Sequence, residues 1–159
     1  MDASTAIIAL VFIGFVTIPF VFLSRNLRSK DKQLLTTFDQ VAKQENLRIS
    51  QKEFWDGKYG IGIDPEGHKL LYIKKKGDSI QKVLVDLSEV EKCRILNKSR
   101  SVRTHNTASK VIDFLGLALT FSNSAREDQA LEFYNVDESL TLGKELLLTE
   151  KWLKLINAK

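Results

Sequence analysis

One stretch of the sequence, residues 97–110, combines the side chains that bind anionic groups. Its arginines and its histidine are interspersed with serine, threonine and asparagine. A guanidinium group donates paired hydrogen bonds to phosphate or carboxylate oxygens, and nearby hydroxyl and amide groups add donors. We therefore predict that this polar loop binds an anion or a partner through five residues: Lys98, Arg100, Arg103, His105 and Lys110. The alternative is a solvated loop that only joins two strands.

The sequence lacks the motifs of common catalytic and cofactor-binding sites. It contains no glycine-rich phosphate-binding loop followed by Lys and Ser/Thr, no GxGxxG, no HExxH and no GxSxG. The two histidines, His68 and His105, and the one cysteine, Cys93, are too far apart in sequence to suggest a metal site. We therefore predict no catalytic, cofactor-binding or metal-binding residue, no cofactor and no enzymatic activity. Cys93 falls in an apolar alternating segment, which favours a buried structural thiol.

Positive charge is concentrated in two segments. Lys and Arg number 24 against 20 Asp and Glu, for a formal net charge of +4. The excess lies in residues 25–32 and in residues 92–110, and the second segment contains no acidic residue. From Asp31 onward the chain has 21 Lys and Arg against 19 Asp and Glu, and this nearly neutral balance argues against nucleic-acid binding through the overall charge. We therefore expect a protein partner or anionic lipid headgroups, and no nucleic acid.

The N-terminal residues form an uncharged apolar run from Ala3 to Ser24. A helix of about 20 apolar residues spans the hydrocarbon core of a bilayer, so we predict a transmembrane helix at 3–24. A cleaved signal peptide is disfavoured, because no basic residue precedes the run and no small-x-small site follows it. Positive residues remain on the cytoplasmic side. We therefore predict a single-pass protein of the inner cell membrane with its N-terminus outside and its C-terminal domain in the cytoplasm. The membrane-flanking residues are Arg25, Arg28, Lys30 and Lys32.

The rest of the chain divides into a juxtamembrane segment, 25–47, and a domain, 48–159. Apolar residues at spacings of three and four predict an amphipathic helix in the juxtamembrane segment. In the domain, alternating apolar residues separated by Gly and Pro turns predict about seven short strands. A second helical pattern between Leu140 and Ile156 predicts a closing helix.

This order of elements predicts an α+β fold, in which roughly seven antiparallel strands form a barrel or sandwich closed by the C-terminal helix. It resembles a pleckstrin-homology-like or GRAM-like domain over about residues 48–158, preceded by the transmembrane and amphipathic helices. Three phrases also resemble a family of small, membrane-anchored bacterial proteins of the Bacteroidetes type: KLLYIKKKGD (Lys69–Asp78), VDLSEVEKCRI (Val85–Ile95) and LEFYNVDESLTLGKELLLTEKWLKLIN (Leu131–Asn157). That resemblance implies a membrane location and supplies no catalytic residue.

Three functional hypotheses follow. The one we favour is a membrane-anchored, non-enzymatic binding or scaffold module that recognises a partner protein or anionic lipid. The first alternative is a small accessory subunit of a larger membrane complex, assembled through its span and its apolar helix faces. The second alternative is an enzyme of unknown class, which a deep pocket with converging ionisable groups would support.

Overall fold

The structure of the protein is a computed structural model that describes residues 32–104, 107–139 and 141–158. Several predicted features lie outside the described residues: the transmembrane helix 3–24, Arg25, Arg28, Lys30 and His105.

Seven antiparallel strands form two sheets, each with its strands in sequence order. Sheet 1 contains β1 (Gln51–Trp55), β2 (Tyr59–Asp64), β3 (Lys69–Lys76) and β4 (Ser79–Asp86). A 3-10 turn (Leu87–Glu89) leads to sheet 2, which contains β5 (Val90–Thr104), β6 (Thr107–Phe121) and β7 (Gln129–Asn135). Helix α1 (32–44) precedes the sheets and helix α2 (Glu145–Asn157) follows them.

Helix α1 covers the outer face of sheet 1. Leu34 and Phe38 are fully buried in a cluster with Leu71 and Ile73 of β3. Gly62 makes this contact possible, because a Cβ at that position would lie 2.6 Å from Phe38 Cζ. Both faces of sheet 1 are therefore buried.

Helix α2 closes the core between the two sheets. Trp152 and Ile156 are fully buried there, and Trp152 Nε1 donates a hydrogen bond to Glu53 Oε2 of β1 at 2.8 Å. At the end of the helix, the Asn157 side-chain amide accepts from the Cys93 backbone N–H and donates to the Cys93 carbonyl, each at 3.2 Å. The amide of Asn157 therefore covers the exposed backbone edge of β5 at this point.

Side chains of sheet 1 cover the free edge of β7 in the same way. Trp55 Nε1 donates to the Phe133 carbonyl oxygen at 2.9 Å, and the Tyr72 hydroxyl donates to the Glu132 carbonyl oxygen at 2.7 Å. Each hydrogen bond gives a carbonyl oxygen of this edge strand a side-chain donor from sheet 1.

The fold class predicted from the sequence is wrong. Instead of a pleckstrin-homology-like barrel behind a transmembrane helix, the described residues form two antiparallel sheets and two helices. Within the described ranges, no helix is long and apolar enough to cross a membrane, so the described structure does not support the transmembrane and single-pass prediction, whose segment 3–24 lies outside those ranges. Helix α2 has 13 residues, or about 20 Å, against the ~30 Å of a hydrocarbon core. Hydrophobic alternation predicts strands, but it does not say which strands pair.

Candidate functional site

The segment predicted as the polar loop 97–110 is a paired hairpin. Strands β5 and β6 pair continuously as far as Thr104 and Thr107, with one register shift after Lys98. The loop prediction is therefore wrong. Its hydroxyl and charged residues hide the alternation that marks a strand, because a two-stranded ribbon in solvent needs no buried face. We call residues 98–104 and 107–112 the basic arm.

The basic arm does not bring the predicted anion-binding residues together at one point. Successive side chains of a strand point to opposite faces. Lys98 and Arg100 therefore share one face of β5, and Arg103 lies on the other. Lys110 pairs with Ser101, so it shares the face of Arg103. All four basic side chains are exposed.

Two of these basic groups already have neighbours. Lys98 Nζ lies 5.8 Å from the centre of the Phe114 ring. Arg100 Nε lies 3.2 Å from Asp113 Oδ1, although the alignment does not make a hydrogen bond. Because the Arg100 side chain is 64% exposed, this ion pair leaves the guanidinium group accessible to a ligand.

A second basic region lies at one end of sheet 1. This basic cleft is a cavity of about 920 Å³ between the β1–β2 turn, the β3–β4 turn, the start of α1 and the residue before α2. Each turn contains a glycine with positive φ, 59° at Gly57 and 61° at Gly77, where other residues are strained. The charged lining consists of Lys32, Asp56, Lys58, Lys75, Asp78 and Lys144.

Two of the four cleft lysines are engaged with neighbouring residues. Lys58 Nζ lies 3.4 Å from Asp56 Oδ2 and also donates to the Glu138 carbonyl oxygen. Lys75 Nζ donates to Gln33 Oε1 at 3.1 Å. These contacts hold both ammonium groups at the wall of the cleft.

The other two lysines, Lys32 and Lys144, have no side-chain partner among the described residues. Both are exposed. The cleft thus combines two held and two unpaired ammonium groups with an apolar wall of Leu35, Phe54 and Trp55. Such a lining suits an anion that carries a small apolar part.

Behind the cleft, a buried polar cluster joins the two sheets. Lys74 of β3 is only 8% exposed. Its Nζ lies 2.7 Å from Glu132 Oε1 and 2.9 Å from Glu138 Oε1. The Tyr59 hydroxyl donates to the same Glu132 oxygen at 2.6 Å. The ammonium group and both carboxylates are thereby paired within this cluster.

Burial and charge keep the groups of this cluster in their hydrogen-bonding forms. Burial is the largest cause of the raised pKa of Tyr59, and the hydrogen bond to Glu132 raises it further. Burial and the charge of Glu132 raise the pKa of Tyr72. Burial alone would lower the pKa of Lys74, but its hydrogen bonds to Glu132 and Glu138 outweigh burial and raise it. Both phenols therefore remain protonated donors and Lys74 remains charged at neutral pH.

The three consecutive lysines 74–76 have different environments in the structure. Strand β3 is an inner strand of sheet 1. Lys74 belongs to the buried cluster, Lys75 lines the cleft, and only Lys76 is exposed without a described partner. Sequence reasoning missed Lys74 because both of its partners lie about 60 residues away.

Two further side chains have structural roles. Asp64 is buried, and its oxygens accept from the Gly67 and Arg48 backbone N–H groups at 2.9 Å each. These hydrogen bonds lower the pKa of Asp64. The burial predicted for Cys93 is confirmed, and it raises the pKa of the thiol to about 11.

In the described part of the chain, no three His, Cys, Asp or Glu residues are grouped as a metal site.

The sequence indicates two turns of the cleft, since Asp-Gly at 56–57 and Gly-Asp at 77–78 mark turns next to lysines. In an up-and-down sheet these two turns lie at the same end. The contributions of Lys32 and Lys144 depend on how the helices pack, which no local pattern indicates.

Comparison with known proteins yields no match to any protein-family model, curated protein or solved structure. The resemblance of three sequence phrases to small bacterial proteins therefore stays a prediction.

Proposed function

We propose that the protein is a non-enzymatic binding module that holds a phosphate-bearing ligand in the basic cleft. The observation that carries this proposal is that two of the lysines lining a cavity of about 920 Å³, Lys32 and Lys144, have no side-chain partner among the described residues. Ammonium groups bind phosphate oxygens through charge-assisted hydrogen bonds, which are stronger than neutral ones.

The cleft has the rigidity that a binding site needs. The Lys75 backbone N–H donates to the Lys58 carbonyl oxygen at 2.7 Å, which ties the β1–β2 turn to β3. Ser139 donates to Asp56, which ties the chain leading to Lys144 to the same turn. Lysines held on a rigid frame lose less entropy when a ligand binds.

The shared ligand chemistry is a phosphate group, which is found both in soluble metabolites and in lipid headgroups. Titration of the full chain with inorganic pyrophosphate in a calorimeter tests the soluble source. Flotation with phosphatidylcholine vesicles, with and without phosphatidic acid, tests the lipid source.

Matched lysine variants test the site itself. We expect Lys32→Gln and Lys144→Gln each to weaken binding about tenfold, since each removes one charge-assisted contact. Lys43→Gln in α1 and Lys154→Gln in α2 are the controls, because they remove the same charge from the same helices away from the cleft. Equal losses in cleft and control variants would show attraction by net charge alone, and the proposal would be wrong. Absence of binding to both probes would refute it as well.

A further inference from the structure

The outer face of β5 carries a regular row of positive charge. Beyond a register shift near Val90, the strand pairs regularly with β6 as far as Lys98. Cys93 is buried and Ile95 packs against the core, so these two residues lie on the inner face. The residues between and beyond them, at every second position, therefore lie on the outer face. Four of these are basic and exposed, and we call them the β5 stripe: Lys92, Arg94, Lys98 and Arg100.

The β5 stripe presents charges at the repeat of an extended chain. Alternate residues of a strand lie about 6.8 Å apart. The stripe from Lys92 to Arg100 therefore extends for about 27 Å, with Leu96 as the one uncharged position among its five outward residues. A peptide in an extended conformation repeats its side chains at the same distance. Carboxylates at alternate positions of such a peptide match the stripe one to one.

The surface beside the stripe leaves it open to a ligand. The residues directly opposite Lys92, Arg94 and Leu96 on β6 are Thr120, Ala118 and Gly116. Phe114 lies opposite Lys98 and its ring lies beside Gly116, so small side chains of β6 line only the part of the stripe from Lys92 to Leu96. Along that part, a ligand chain meets no bulky side chain of β6.

Part of the stripe is neutralised within the protein, and part is not. Arg94 Nη2 lies 3.3 Å from Asp128 Oδ2, and Arg100 pairs with Asp113. The ammonium groups of Lys92 and Lys98 have no carboxylate partner among the described residues. These two lysines therefore provide the uncompensated charge.

We infer that the β5 stripe binds an extended, acidic polypeptide segment of a partner protein. Nucleic acid fits this surface less well, since single strands bind proteins by stacking bases on aromatic rings as well as by charge. In the described residues, the exposed large apolar side chains are all aliphatic. The stripe lies on sheet 2, whereas the basic cleft lies at the end of sheet 1, so this inference does not depend on the proposed function.

Two labelled peptides of identical composition test the inference on the full chain by fluorescence anisotropy. One is a dodecapeptide of alternating Glu and Thr, and the other has all its Glu residues in one block. We expect the alternating peptide to bind several-fold more tightly, because only its spacing follows the stripe in an extended conformation.

Two charge-reversal variants in the β5–β6 hairpin separate the effect of the face from the effect of net charge. Lys92→Glu with Lys98→Glu alters the stripe, and Arg103→Glu with Lys110→Glu makes the same change of charge on the opposite face of the hairpin. All four side chains are exposed, and circular dichroism checks that both proteins are folded. We expect the stripe variant to lose about tenfold or more in affinity for the alternating peptide and the control variant to lose much less.

Three results would overturn the inference. The first is equal binding of the two peptides, and the second is an equal loss of affinity in both variants. The third is a thymidine oligonucleotide that binds more tightly than the alternating peptide and no longer binds to the stripe variant. The third result would identify nucleic acid as the ligand of this face.

Discussion

Replacement of Lys74 by methionine removes the ammonium group that joins two carboxylates of the buried cluster. Methionine fills a similar volume, so the change isolates the charge. Breaking a fully buried ion pair costs about 3–5 kcal/mol, because the remaining charge is left without a partner. The Glu132 and Glu138 side chains are 18% and 28% exposed, so water compensates them in part. We therefore expect the free energy of unfolding to fall by about 2–3 kcal/mol.

Urea unfolding followed by tryptophan fluorescence measures this loss, since Trp55 and Trp152 both lie in the core. Lys76→Met is the matched control. It lies two residues further along β3, at an exposed position with no described partner, and we expect it to change stability by less than about 0.5 kcal/mol.

A triple variant tests the electrostatic explanation. Lys74→Met combined with Glu132→Gln and Glu138→Gln leaves no unpaired carboxylate, and the amide introduced at position 132 keeps an acceptor for the Tyr59 hydroxyl. We expect it to recover at least half of the lost stability. Two results would contradict this explanation, in which carboxylates left without a partner cause the loss of stability. The first is a loss under about 1 kcal/mol in Lys74→Met, and the second is a triple variant that is less stable than the single one.

Three other predictions concern single side chains. Asp64→Asn should cost about 1–2 kcal/mol at pH 7, with the exposed Asp137→Asn as the matched control. Because the folded-state pKa of Asp64 is lowered, its contribution is complete above the ordinary carboxyl pKa and is lost as the pH falls through the folded-state pKa. The urea midpoints of Asp64→Asn and wild type should therefore approach each other in acid, and a difference that stays constant as the pH falls would contradict this explanation. The Cys93 thiol should react with a disulfide reagent only after unfolding; rapid reaction of the native protein at pH 8 would contradict its burial. Gly62→Ala should destabilise the protein by about 1–3 kcal/mol, because the new methyl group meets the Phe38 ring. The loss of stability should be smaller in the double variant with Phe38→Leu, whose smaller side chain makes room for the methyl group. An unchanged thermal midpoint in Gly62→Ala would show that α1 does not pack as described.

Local sequence patterns located those features that depend on neighbouring residues. The alternation around Ile61 predicts strand β2, and the apolar segment around Cys93 predicts the burial of the thiol, because a strand with a buried face leaves a period of two in the sequence. The basic arm carries no such period, since both of its faces meet solvent. Its sequence therefore resembles that of a loop.

The features that sequence reasoning missed depend on contacts between distant residues. In the sequence alone, Lys74 and Asp64 do not differ from charged residues at the protein surface. The Lys74 ammonium group donates hydrogen bonds to a glutamate of β7 and to a glutamate of the turn that follows β7. The Asp64 carboxylate accepts hydrogen bonds from two backbone N–H groups. A charged residue in a sequence does not show whether it is solvated or paired, because the two cases differ only in what folding brings next to it.

The buried cluster and the basic cleft are connected through the chain between β7 and α2. Glu138 is held by Lys74, and the next residue, Ser139, donates to Asp56 at the wall of the cleft. These contacts fix the start of the connection that leads to Lys144. Lys74→Met should therefore weaken pyrophosphate binding as well as stability, even though Lys74 does not line the cleft. The affinity for pyrophosphate, measured under conditions where Lys74→Met is still folded, distinguishes the effect on binding from the effect on stability. An unchanged affinity would show that the buried cluster does not help to position Lys144.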